Sequence, residues 1–412
     1  MFKKIVVGLF ILISSMAVAQ EGTTSPYSFY GIGTLKFRGT VENRLMGGLG
    51  VFSDSIHLNL QNPASYAGLE LINFSVGGSH KVATQKNETE SQSNSATTLD
   101  YISMGIPMGK FGMGFGVIPY TSVGYDFYSE VPDGLTEYSG NGGLNKAYLS
   151  AGYQITPEFS FGIDANYNFG KIENTTTTQK EDIELGTRTY NRSEILGFSF
   201  NFGALYKKMI SENLELTGSV TFTPGTNFTS ENSRKISTVR IIPAGIFTVD
   251  ERDVLVADTD FTFPSQLTIG AGIGKPKFWG LGAEYTNQKT SNFTNRSFST
   301  ENVVYENASK FRLGGYYIPN YNSFGNYFKR VVYRAGARYE QTGLNIDGQD
   351  INEFGISFGV GLPVGRLFSN MNLGVEIGSR GTTDFGLIKE NFFNTFLSFS
   401  LNDRWFEKRL YD

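Results

Sequence analysis

The sequence predicts an all-β protein, a transmembrane antiparallel β-barrel of about 14 strands with an amino-terminal plug in its lumen, and three observations lead there. First, Phe161, Ile163, Ala165, Tyr167 and Phe169 share one face of a strand, while Ser160, Asp164, Asn166 and Asn168 share the other. The same dyad returns at 147–155, 196–206, 214–222, 267–273, 354–362 and 393–401. Second, Lys3 and Lys4 precede the apolar run from Ile5 to Ile13, and Ala17-Val18-Ala19 offers small residues for cleavage before Gln20, the pattern of a secretory signal peptide over residues 1–19. Third, no later stretch approaches the roughly 18–20 apolar residues of a membrane helix. A soluble sandwich would alternate as well; the export signal turns the apolar faces toward lipid and the polar faces toward a lumen.

Each strand is bounded by turn chemistry. The expected spans are 71–86, 95–106, 111–127, 144–156, 158–173, 190–206, 212–224, 265–275, 277–290, 304–318, 330–342, 350–362, 371–380 and 391–402. Connections alternate in length. Pro107 to Lys110, Thr156-Pro157, Lys207 to Asn213, Lys275 to Lys277 and Pro363 to Asn370 are short; Ser129 to Gly143, Asn174 to Thr189 and Pro224 to Pro264 are long. Short turns belong in the periplasm and long loops outside, so the reading is a multi-pass protein of the bacterial outer membrane with both termini periplasmic. Pro319 to Lys329 is the one periplasmic turn longer than its peers. The threonine-rich arms at 175–178 and 187–190 favour extended structure, so their hairpin is expected to rise above the membrane. Trp405 and Phe406 follow the last strand as an aromatic carboxy-terminal signature.

Composition narrows the function classes. The 412 residues include 49 glycines, 14% aromatics and no cysteine, which removes disulfides and lipoprotein acylation from consideration. The formal net charge is −4, and loss of Lys3 and Lys4 with the leader removes two positive charges to give −6. Mild acidity without Lys/Arg clusters argues against nucleic acid as a partner. Outer-membrane lipid and lipopolysaccharide are the expected surroundings.

Residues 20–70 lie before the barrel (71–412) and are too rich in Tyr27, Phe29, Tyr30, Leu35, Phe37, Leu45, Met46 and Leu49 for a solvated tail. A barrel of this size is too wide for its own side chains to fill, so this segment is expected to plug it. Within it the residues resemble the FadL/OmpP1/TodX family of hydrophobic-compound channels. The resemblance lies in Asn43 to Val51, then Asp54-Ser55-Ile56, then Asn62-Pro63-Ala64-Ser65-Tyr66; it is close over 43–75 and loose over the rest of the mature chain. Ser25 to Gly33 resembles the variant found in Bacteroidetes-type relatives, one of which looks like a shuttle subunit of type IX secretion.

The resemblance implies passive uptake of a long-chain fatty acid or hydrocarbon, with plug gating by Asn62, Pro63, Ala64, Gly47, Gly48 and Gly50. A pocket for a hydrophobic small molecule is expected at Tyr27, Phe29, Tyr30 and Phe37. Gly112, Gly114, Gly116 and Pro119 are expected to make strand three irregular and open the wall sideways, because glycine permits a bend and proline removes a ladder donor. The alternative function is a structural or shuttle component with a secretion-system protein as its partner through the 224–264 loop.

Catalysis is not expected. His57 and His80 are the two histidines, and neither has the Ser-x-His or paired-Asp context of the barrel hydrolases. Asp250, Glu251, Asp253, Asp258 and Asp260 lack the fixed spacing of a calcium loop, so they read as a solvated loop, and neither metal nor cofactor is expected.

Overall fold

The computed structural model describes residues 22–131, 134–292, 302–364 and 369–404. Within them every wall contact is antiparallel, and the sheet closes because β2 (Ile72–Lys86) pairs with β20 (Lys389–Asp403) on one side and with β3 (Ser91–Met108) on the other. The result is a closed barrel of 14 crossings. After β2 and β3 come β4 (Phe111–Pro119) continued by β5 (Thr121–Val131), then β6 (Gly134–Gln154), β7 (Phe159–Lys180) and β8 (Leu185–Ser211). β9 (Leu214–Thr223) continues into β10 (Thr226–Ile242), and β12 (Thr259–Phe263) into β13 (Gln266–Lys275). β14 (Trp279–Gln288), the short β15 (Val303–Tyr305) with β16 (Ala308–Tyr317), β17 (Val332–Ile346), β18 (Gln349–Pro363), β19 (Asn370–Arg380) and β20 complete the wall. β1 (Thr34–Leu35) lies in the amino-terminal segment and β11 (Gly245–Val254) outside the wall.

The dyad pattern sorts as the alternation requires. Phe161, Phe198 and Phe200 are 43%, 64% and 46% exposed, whereas Asp164, Asn166, Asn168 and Asn201 are all 2% exposed or less. A face this apolar and this exposed is stable only against lipid, so the barrel spans a membrane with its wet face inward.

Two connections differ from the sequence reading. Residues 224–264 are not a loop: β10 pairs with β8 from Thr229 to Arg240 and with β11 from Arg234 to Ile242, and β12 returns along Thr226 to Ser230. The interval 129–143 is also largely strand, since β5 and β6 pair from Val123↔Gly142 outward. Both were hidden because polar residues on both faces of a strand outside the membrane carry no dyad signal. The 250–253 run therefore lies on β11, where Glu251 pairs with Lys235 at 2.8 Å, while Asp258 accepts from the Asn232 N–H and Asp260 from Thr229. The signal peptide and Trp405-Phe406 lie outside the described residues.

Inside the wall, residues 22–71 make four short pieces: a 3₁₀ turn Pro26–Phe29, β1, a single helical turn Val41–Arg44 and a 3₁₀ helix Pro63–Gly68. The turn at 41–44 is fixed by a reciprocal capping box between Thr40 and Asn43. The segment fits because glycines of the wall leave room for it. Side chains at Gly112 and Gly114 of β4 would collide with Tyr66, at Gly152 with Pro63 and Ala67, at Gly162 with Pro63 and Ala64, and at Gly203 with Asn62. A second row, Gly314, Gly336, Gly359 and Gly374, receives Met46, Gly47 and Leu45.

The described ends can be placed along the barrel, although the termini themselves lie outside the described residues. Thr24 accepts a hydrogen bond from Gln85 at the end of β2, and Ser25 donates to Glu390 at the start of β20 at 2.6 Å. Asp403, by contrast, pairs with Ile72 at the other end of the barrel. The first described residues thus lie at the long-loop end and the last at the short-turn end, not together, because the segment threads the length of the lumen.

Candidate functional site

The 3₁₀ helix 63–68 is anchored from both sides. Asn62 accepts from the Ala64 N–H at 3.0 Å as its N-cap and donates to the Ala204 carbonyl of β8 at 3.0 Å; Asn62 and Ala64 are 1% and 0% exposed. Pro63 begins the helix where its missing N–H costs nothing. Gly47 and Gly48 have φ of 71° and 88°, the left-handed region in which a side chain is strained. Gly50, unlike these two, is not in the left-handed region; it gives its N–H to Glu284 at 2.7 Å and leaves room for Gln61.

Buried ion pairs join this segment to the wall. Arg44 meets Glu376 at 2.7 Å, Arg338 meets the same carboxylate at 2.9 Å and also Glu353, and Arg380 reaches Glu353 at 2.5 Å. Arg38 pairs with Asp164, which Asn201 also contacts at 2.9 Å. At the short-turn end Asp54 accepts from the N–H groups of Ile56 and His57 at 2.9 and 2.7 Å, and from His57 Nδ1 at 2.6 Å; His57 Nε2 lies 2.8 Å from Asn370. The Asp54 side chain is exposed and that of His57 largely buried, and each holds the other charged: the His57 pKa is raised and the Asp54 pKa lowered. With Asn370 on its second nitrogen, His57 holds no nucleophile. His80 bonds Thr97 on the exposed face.

Toward the long-loop end lies a cavity of about 350 Å³, lined among others by Tyr27, Tyr30, Phe37, Tyr120 and Phe263. Three of the four expected pocket aromatics reach it. Phe29 does not: its ring packs edge-on against Tyr125, Phe127 and Tyr138, filling the space inside β5 and β6. The cavity also takes cations that sequence reasoning missed, Lys36, Arg38 and Lys146. Burial lowers the Lys36 pKa to about 8 against the attraction of Asp100. Lys146 is 3% exposed, its ammonium lies 3.9 Å from the centroid of the Tyr120 ring, and it makes no hydrogen bond or ion pair among the described residues. No motif marks it, since one lysine on a barrel strand reads as any lumen residue.

Strand three breaks, though not at its glycines. β4 pairs with β3 from Phe111 to Val117 and with β6 from Phe111 to Pro119, so Gly112, Gly114 and Gly116 sit in regular ladder on both sides. Gly112 and Gly114 serve Tyr66 instead. Beyond Val117 the chain parts from β3, steps over Tyr120 and continues as β5, which pairs with β6 and, at Thr121 and Ser122, with β1. Ser91 to Tyr101 of β3 then pairs with β2 alone. Pro119 and Tyr120 line the cavity at this parting.

The whole chain, residues 1–412, matches the family described as BamG. The chain belongs to the BamG family. Solved structures place this BamG member on a known scaffold. It is similar to the Pseudomonas putida toluene transporter TodX at 14% identity and TM-score 0.55, covering 90% of this chain and 99% of that one. A Pseudomonas aeruginosa FadL homologue aligns at 10% identity and TM-score 0.55 over 90% and 98%, and a deltaS2 mutant of the TodX monoaromatic hydrocarbon channel at 13% and 0.57 over 92% and 100%. At these identities the likeness establishes the fold, that of outer-membrane channels for hydrophobic compounds. No curated sequence matches the chain. Among the described residues no three His, Asp or Glu side chains converge as metal ligands.

Proposed function

We propose that the barrel passes a small amphiphile, apolar with an anionic end, across the outer membrane without energy coupling. The observation that carries this is Lys146: a buried side chain that makes no hydrogen bond or ion pair among the described residues, on a cavity whose other walls include Tyr30, Phe37, Tyr120 and Phe263. A carboxylate or similar head would neutralise it, with Arg38 nearby, while the aromatic walls bury the tail at about 25 cal/mol per Å². Segment 22–71 acts as the plug, with Asn62-Pro63-Ala64 as its anchor and Gly47-Gly48 as its turn. Release runs sideways where β3 and β5 part at Pro119 and Tyr120.

The test is uptake of labelled long-chain fatty acid in a deletion strain. Wild type restores it, and Lys146→Met lowers it at least several-fold with the folded barrel still present at normal level. Uptake that is unchanged by the deletion itself would end the channel reading.

A structural role in a protein assembly is favoured by a different observation, the sheet that continues beyond the lipid-facing band in β5 to β8, β10 and β11. A secretion-type partner would meet the protein there.

A further inference from the structure

We propose that the free edge of β11 adds a strand from another protein at the cell surface. Beyond the membrane band, β5, β6, β7, β8, β10 and β11 form one continuous antiparallel sheet through Val123↔Gly142, Gly134↔Lys180, Thr178↔Thr187, Leu185↔Arg240 and Arg240↔Phe247. β11 ends it. Among the described residues it pairs with β10 alone, and from Gly245 to Val254 only Ile246 and Val254 are less than exposed. Among the described residues its main-chain donors and acceptors on the far side have no strand partner, which is a template for another strand.

The apolar side chains on this rim cannot be explained by lipid. Leu185, Arg240 and Phe247 share one rung, and Phe247 and Val249 are 52% and 56% exposed. Leu196 is the last exposed apolar residue of the band on β8. From there to Leu185 the strand climbs roughly 37 Å at about 3.4 Å per residue, or about 26 Å in height at a tilt near 45°. That is outside the hydrocarbon, on the side of the long loops, which is extracellular in barrels of this kind.

The pattern favours a strand of another protein over a second copy paired in full overlap. Antiparallel pairing of 245–254 with itself in full overlap sets Ile246 against Asp253 and Val249 against Asp250, so the apolar half would face the acidic half. The complementary strand has apolar residues opposite 246–249 and basic ones opposite Asp250 and Asp253. The proposal does not depend on the channel reading.

A photo-crosslinking residue placed singly at Phe247, Val249 and Arg252 of the full chain, in intact cells, tests it. Expected are adducts with one partner protein, mapped to partner positions that run in the opposite direction along a single segment as the probe moves from 247 to 252. The Phe247→Ser/Val249→Ser variant, with the probe at Arg252, should lose the adduct at least tenfold while the barrel keeps its heat-modifiable mobility. Adducts between two copies of the chain, adducts scattered over several proteins, or none from a folded barrel would each overturn it.

Discussion

Gly162 has no room for a side chain, because Pro63 and Ala64 lie against its α-carbon. Gly162→Val should therefore displace the 63–68 helix and cost about 1–3 kcal/mol, seen as a lower temperature for loss of the compact electrophoretic form. Gly218, where an added Cβ would meet nothing within 4 Å, should tolerate alanine far better. Asn62→Ala removes the N-cap and the bond to Ala204 together, for a loss of about 1 kcal/mol or somewhat more by the same assay. These residues show what the sequence made legible. Asn62-Pro63-Ala64 could be picked out in advance by its resemblance to the channel family, though not the N-cap that Asn62 makes. The wall glycines could not: a glycine spared for a bend and one spared for a neighbour look identical until the segment at Tyr66 is in place, and Gly112 and Gly114 read as bend sites for that reason. Lys146 was invisible for the same cause, since its isolation is a property of the assembled lumen.

At the scale of elements, the strands were legible wherever one face meets lipid, and β2 and β13 to β20 begin and end close to where the dyads put them. Beyond the lipid, β10 and β11 lost the signal. The loop from Phe52 to Leu58 is held by Asn73 donating to the Ile56 carbonyl at 2.8 Å, by Lys207 donating to Ser53 and by the Asp54–His57 pair. Its pH response follows from the directions of the two shifts. His57 has its pKa raised on folding, so its contribution is complete below the ordinary histidine value and is lost as pH rises through the raised one. Asp54 has its pKa lowered, so its contribution is present above the ordinary carboxylate value and lost as pH falls through the lowered one. Amide protection of residues 54–58, corrected for intrinsic exchange, should fall as pH is raised above neutrality, and Asp54→Asn should abolish that dependence. A profile unchanged by Asp54→Asn would remove the pair as the cause.

For the whole molecule, a closed wall and a segment threaded through it divide the labour. The wall supplies a lipid-facing exterior and a wet interior; the segment, held by Arg38, Arg44 and Asn62, leaves a cavity with Lys146 on its wall beside the place where the wall parts. That the cavity holds an acidic amphiphile is the central claim, and native mass spectrometry of the detergent-purified barrel addresses it without any assumption about transport. Wild type should carry one acidic, acyl-sized adduct per chain, exchangeable with added fatty acid. Lys146→Met should be largely free of it while retaining the same fold. Equal adduct in both, or none in wild type after incubation with excess fatty acid, would contradict the account.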